Sequence, residues 1–225
     1  MCGRFALRTP PKSLAKAFGV EEVPEYEARF NIAPTQTIAS VRQMPDGREL
    51  KFLKWGLVPS WAKDASMGAK LINARSETVT EKPSFREAFK RQRCLIPADG
   101  FYEWARAGGK KQPYFFRLRD EQPFGFAGLW DRWESGDGAI IESCTVLTTE
   151  ANDVLRPVHD RMPVIIHPED YELWLDDDER KTELRRDLLQ PFPAEEMVGH
   201  PVSTLVNSTR SQGATLVVQV PINSL

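Results

Sequence analysis

The feature that most constrains the fold is a series of short segments in which apolar and polar residues alternate before a proline or glycine stops them. In "RELKFLKWGLVPSW" the alternation runs up to the Gly/Pro stretch that ends at Pro59. A period of two sends successive side chains to opposite faces, the signature of a half-buried strand. Strands are expected likewise at "CLIPADGFYEWA", "QPYFFRLR", "PFGFAGLWDRW", "ESCTVLTTEA" and "RMPVIIH". Gly108-Gly109 and Asp137-Gly138 fit hairpin turns between them. Helical signals lie at the margins. "TPPKSLAKAFGV" offers Thr9 as N-cap and Gly19 as stop, and "KPSFREAFKRQRC" spaces Phe85, Ala88 and Phe89 on one face. "NDVLRPVH" reads as one turn capped by Asn152, and "PEDYELWL" and "DERKTELRRDLL" as acidic helices. "RFNIAPTQTIASVRQ" reads as an irregular loop leading into a strand, and the tail "HPVSTLVNSTRSQGATLVVQ" as ending in a strand. The expected class is α+β: a mainly antiparallel sheet or barrel-like core flanked by helices, in a single domain over residues 1–225.

Composition removes several function classes. No apolar run approaches the ~18 residues of a membrane span, and Arg4 and Arg8 flank only Phe5-Ala6-Leu7, so neither a membrane nor a secretory signal is expected. The expected compartment is the cytoplasm, or the nucleus in a eukaryote. Residues 1–161 hold 25 Lys/Arg against 21 Asp/Glu, and residues 162–225 hold 5 against 11. That asymmetry permits an anionic ligand on the first part. No P-loop, GxSxG, GxGxxG, HxH or HExxH pattern occurs, so no metal or small-molecule cofactor is expected.

Five stretches carry residues suited to chemistry. Cys2 follows the initiator methionine; with Met1 removed it bears an α-amine and a thiol on one residue. An α-amine has a pKa of roughly 8, so a useful fraction is neutral near pH 7. Such an amine condenses with aldehydes, and a thiol two bonds away closes a thiazolidine ring. "LINARSETV" places Asn73 and Arg75 on one strand face with Glu77 next along it, a polar set suited to an anion or to an ordinary surface. "CLIPADGFYEW" puts Glu103 among aromatics, where a carboxyl titrates high and serves as acid or base, unless it simply lies on an exposed edge. "RPVHDRMPVI" sets His159 between Arg156 and Arg161. "WGLVPSWAKD" holds Trp55 and Trp61, one suited to the core and the other to stacking on unpaired bases. Cys94 and Cys144 sit in apolar strand contexts and read as inert buried thiols.

Taken in order, "MCGRFA", "RFNIAPTQ", "WGLVPSWAKD", "LINARSETV", "CLIPADGFYEW", "KQPYFF", "VHDRMPVI" and "HPVSTLVN" resemble the SOS-response-associated peptidase (SRAP) family over nearly the whole chain. The resemblance implies a monomeric, cofactor-independent sensor of abasic sites in single-stranded DNA that crosslinks itself to the opened sugar through Cys2 by lyase-like imine chemistry. It implies that Asn73 positions the reacting groups, that Glu103 moves protons, and that His159 assists ring opening and reversal. By the same resemblance Arg4, Arg75 and Arg161 would hold phosphates, and Trp61 with the loop from Asn31 to Pro34 would stack on or wedge between bases. The alternative is a cysteine peptidase with Cys2 as thiolate nucleophile and His159 as base.

Overall fold

The computed structural model describes residues 2–107 and 110–221. In chain order the elements are β1 (Phe5–Leu7), α1 (Pro11–Phe18), β2 (Arg29–Ile32), β3 (Thr37–Met44), β4 (Gly47–Trp55) and β5 (Asn73–Arg75). There follow α2 (Arg86–Arg91), β6 (Arg93–Ala98), β7 (Gly100–Ala107), β8 (Lys110–Leu118), β9 (Phe124–Glu134) and β10 (Ile140–Glu150). The chain continues with β11 (Arg161–Pro163), β12 (Ile165–Ile166), α3 (Tyr171–Leu175), α4 (Thr182–Asp187) and β13 (Met197–Pro201).

The strands form two bodies. β4, β3, β6, β9 and β10 pair in that order, and β10 returns to β4, closing a barrel. The closing pair is parallel, Ser143 beside Lys54 and Cys144 beside Trp55; the other pairs around the ring are antiparallel. Closure removes the open edges that an alternating pattern would otherwise expose. The second body is an antiparallel sheet in the order β13-β8-β7-β1-β2. Aromatic side chains join them. Phe5 of β1 meets Trp55 and Phe126 edge-on at 5.3 and 5.8 Å, and Phe101 stacks on Phe116 while touching Phe126. Each such pair contributes about 0.5–1.5 kcal/mol beyond its area. The α+β class with a mainly antiparallel, barrel-like core is what forms.

Local details depart from the sequence pattern in instructive ways. The N-cap of α1 is Pro10, not Thr9; Thr9 gives its hydroxyl and its N–H to the carboxylate of Asp99 instead. Gly19 does end the helix, in the left-handed region at φ 63°. "CLIPADGFYEWA" is two strands, β6 and β7, broken at Asp99, whose buried carboxylate also accepts from the Arg8 N–H. The break needs Gly100: a Cβ there would lie 2.2 Å from the Phe115 ring and 2.7 Å from the Phe116 carbonyl. "RFNI" is a strand rather than a loop. "NDVLRPVH" forms successive turns, with the Leu155 N–H donating to Asn152 Oδ1 at 3.1 Å. "RMPVIIH" is two short strands, because Val164 spends its N–H on Leu147 and its carbonyl on Ala127. The tail run "ATLV" is a 3₁₀ turn and not a strand. The reversal at Ser135–Ala139 turns β9 into β10 as expected, whereas Gly108-Gly109 lies outside the described residues. Among the described residues no helix is long and apolar enough to cross a membrane.

Candidate active site

β1 is an inner strand, flanked by β2 and β7, so the segment just before it is fixed from several directions. The Tyr102 N–H donates to the Arg4 carbonyl at 2.9 Å, carrying the β1–β7 pairing back toward Cys2. From the other side Asn73 Nδ2 donates to the Cys2 carbonyl at 2.8 Å. Asn73 reaches it because β5 is laid parallel on β10, with Asn73 opposite Val146. Cys2 is completely buried. Burial pushes its thiol well above the ordinary range, and the charge of Glu103 adds to the shift. Asn73 Oδ1 is buried without a hydrogen-bond partner.

Glu103 follows Tyr102 on β7 and is 3% exposed. Burial raises its carboxyl above the ordinary range, and nearby His159 works against the shift. A carboxyl raised in this way is suited to giving and taking protons. His159 ends the turns begun by Asn152, its N–H donating to the Leu155 carbonyl. The Arg161 N–H donates to His159 Nδ1 at 3.0 Å. Asp160 Oδ1 also lies 3.0 Å from Nδ1, on a side chain that is 88% exposed. The backbone donor is fixed and the carboxylate is not, so the neutral ring carries its proton on Nε2. An imidazolium would turn Nδ1–H toward Asp160.

Above these groups opens a cleft of about 800 Å³, lined by Arg4, Glu103, Trp104, Lys111, His159 and Asn207 among others. The Arg4 guanidinium lies 5.7 Å from the Trp104 ring centroid, and Trp104 Nε1 donates to Asn207 Oδ1 at 2.7 Å. Trp104, Lys111 and Asn207 were not singled out from sequence as site residues. "FYEW", "KQPYFF" and "TLVN" contain them, but only the three-dimensional wall shows that they share one opening. Among the described residues no group of three or more His, Cys, Asp or Glu could hold a metal ion.

This geometry coincides with a family pattern. A model of the SOS response associated peptidase (SRAP) family matches residues 1–209. The chain belongs to the SRAP family. Among SRAP relatives, the abasic site processing protein YoqW of Bacillus subtilis strain 168 is 40% identical over 221 residues, covering 96% of this chain and 99% of that one. The abasic site processing protein YedK of Escherichia coli K12 is 31% identical over 229 residues, covering 98% and 100%. A crystal structure of a Bacteroides thetaiotaomicron protein superimposes with a TM-score of 0.85 at 25% identity, covering 98% of this chain and all of that one.

The SRAP site residues expected at the periphery fall into three groups. Trp61 is 56% exposed beyond β4, anchored by its Nε1 to the Pro83 carbonyl at 3.3 Å, while Trp55 is fully buried. Pro34 is half-buried beside Thr35, whose N–H donates to the Trp55 carbonyl. Arg75 is exposed at the end of β5. Glu77, expected on the same strand, lies on a 3₁₀ turn instead and grips Arg161 through both carboxylate oxygens. That pairing holds the Glu77 carboxyl below the ordinary range. Arg161 also donates to the Thr148 carbonyl at 2.6 Å, so a phosphate would have to compete for it. Asn31 corrects the sequence expectation outright: it is buried in β2 with its amide bonded inside the protein, and offers no surface to a base.

Proposed function

We propose that this protein processes abasic sites in single-stranded DNA by forming a covalent thiazolidine through Cys2. The observation that carries the proposal is the clamped Cys2: its carbonyl is held by Asn73 and its thiol feels the charge of Glu103, which itself lines a cleft with Arg4, Trp104 and His159. A cation, an aromatic face and an opening of that size suit an unstacked strand with a missing base. The names of the relatives YoqW and YedK point to the same lesion.

The chemistry follows from the residues. With Met1 removed, the Cys2 nitrogen is an amine; with Met1 in place it is a peptide nitrogen and cannot react. The amine adds to C1′ of the opened sugar, forming a C–N bond, and the carbinolamine loses one water to give an imine. Glu103, whose carboxyl burial raises, in its protonated form donates the proton that turns the departing hydroxyl into that water. The Cys2 thiol then adds to the imine carbon; a C–S bond forms, its proton returns through Glu103, and the ring nitrogen is protonated. His159 Nε2–H faces the sugar oxygen during opening. Arg4, Arg75 and Arg161 hold flanking phosphates, and Trp61 and Pro34 meet bases at the rim. Burial raises the thiol and disfavours its thiolate, which favours attack by the amine first and disfavours a thiolate peptidase.

The test uses a single-stranded oligonucleotide carrying one abasic site. The protein, with loss of Met1 verified by intact mass, is expected to give a denaturation-resistant adduct. Placing one extra residue before Cys2 should abolish it. An adduct of equal yield with the extended N-terminus would exclude the amine as nucleophile.

A further inference from the structure

Asn31 is the most fully bonded polar side chain near the cleft, yet it touches neither Cys2, Glu103 nor His159 in any hydrogen bond of the structure. Its Oδ1 accepts from Arg4 Nη1 at 2.7 Å. Its Nδ2 lies within donating distance of three carbonyls of the segment after β13: Val206 at 3.3 Å, and Ser208 and Ser211 at 2.9 Å each. Gln212 fastens the same segment to the β2 backbone, accepting from the Phe30 N–H at 3.0 Å and donating to the Asn31 carbonyl at 3.2 Å. The segment in turn supplies a wall of the cleft through Asn207, and its Val206 carbonyl accepts from Arg4 Nη1 at 2.7 Å. Nη1 is therefore saturated by two oxygens, while Arg4 Nε is buried with no hydrogen-bond partner. A buried donor without an acceptor is destabilising. Held this way, Arg4 spends Nη1 inside the protein and keeps Nη2, which neither bond uses, for an anion in the cleft.

We infer that Asn31 is a positioning residue: one buried amide fastens residues 203–212 to β2 and thereby aims the Arg4 guanidinium. It acts on the DNA strand through Arg4, not by contact. An aspartate is no substitute, because a second oxygen would face three carbonyls, and a serine is too short to reach both sides. The functional half of this inference rests on the single-stranded DNA reading above.

The experiment is a double-mutant cycle with Asn31→Ser and Arg4→Gln, singly and together, folding being checked by thermal melting. One readout is affinity for an intact single-stranded oligonucleotide; the other is the NMR signal of the Arg4 Nε–H, which needs no DNA. Asn31→Ser is expected to weaken binding about tenfold, to add almost nothing in the Arg4→Gln background, and to erase a slowly exchanging Nε–H signal. Equal losses in both backgrounds, or an unchanged Nε–H signal, would overturn the inference. Should Asn31→Ser fail to fold, the exposed Gln212→Ala carries the same cycle with an expected loss of about threefold. A wild-type protein that binds DNA but yields no abasic adduct overturns the functional reading alone; normal adducts with additive losses overturn only the role of Asn31.

Discussion

The chain has three cysteines, and all three thiols are fully buried. Burial is the largest cause of a raised thiol pKa at each. What separates them is the company they keep. Cys94 and Cys144 lie near one another inside the barrel on strands β6 and β10, and among the described residues the one side-chain hydrogen bond to either thiol is a 3.7 Å contact from Ser40 to Cys144. Cys2 sits instead near an acid that burial raises and an amide with a buried oxygen left unbonded. Burial of a thiol, or a high pKa, therefore says little about its use. Polar groups placed at a cost beside it say much more.

The largest expected effect breaks the symmetry of the three directly. Cys2→Ala should eliminate the abasic adduct on a denaturing gel. Cys94→Ala should preserve it while lowering stability by about 1–3 kcal/mol in a denaturant melt. An adduct surviving in Cys2→Ala would place the reactive group elsewhere.

Next, Glu103→Gln should make the Cys2 site resemble the barrel sites. Adduct formation should slow about 100-fold or more, with little change in affinity for an intact strand. Stability should move the other way. The folded-state pKa of Glu103 lies above its unfolded value, so the folded state holds the proton more tightly, and stability contributed by this group is lost as pH rises through the folded pKa. Glu103→Gln removes that loss, so its melting temperature relative to wild type should be higher at pH 7 than at pH 4. A gain that is the same at both values would contradict the raised carboxyl.

The smallest effect is expected at the barrel thiol. Ser40→Ala removes the contact to Cys144 and should cost under about 1.5 kcal/mol, with adduct yield unaltered. A matching loss of adduct would show that the two thiol environments are coupled.

The strands of the barrel were legible either by a period of two, as in the sequence of β4, or as apolar runs between turn residues, as in β6 and β10, and Trp55 and Trp61 separated into core and surface as their settings on a strand and a turn suggest. Barrel closure was not legible, since it depends on a parallel pairing of β4 with β10 across nearly ninety residues, which leaves no local mark. Thr9 was a reasonable helix cap until Asp99 claimed it. Asn31 misled for a similar reason. A polar residue before Ala-Pro looks like loop, and nothing nearby in sequence announces that residues 206–211 return to cover it. Cys2, Asn73, Glu103 and His159 were legible as reactive types in separate motifs; their convergence required the fold.

The inner position of β1 also sets an order of events during synthesis. Cys2 leaves the ribosome first, but its neighbours Asn73 and Glu103 emerge long after it. At typical elongation rates the interval before β7 is complete is about 5–20 s. During that time β1 has only β2 beside it; once β7 pairs on its other edge, residue 2 is enclosed. Any removal of Met1 that the amine chemistry requires is therefore easier before β7 docks than after it.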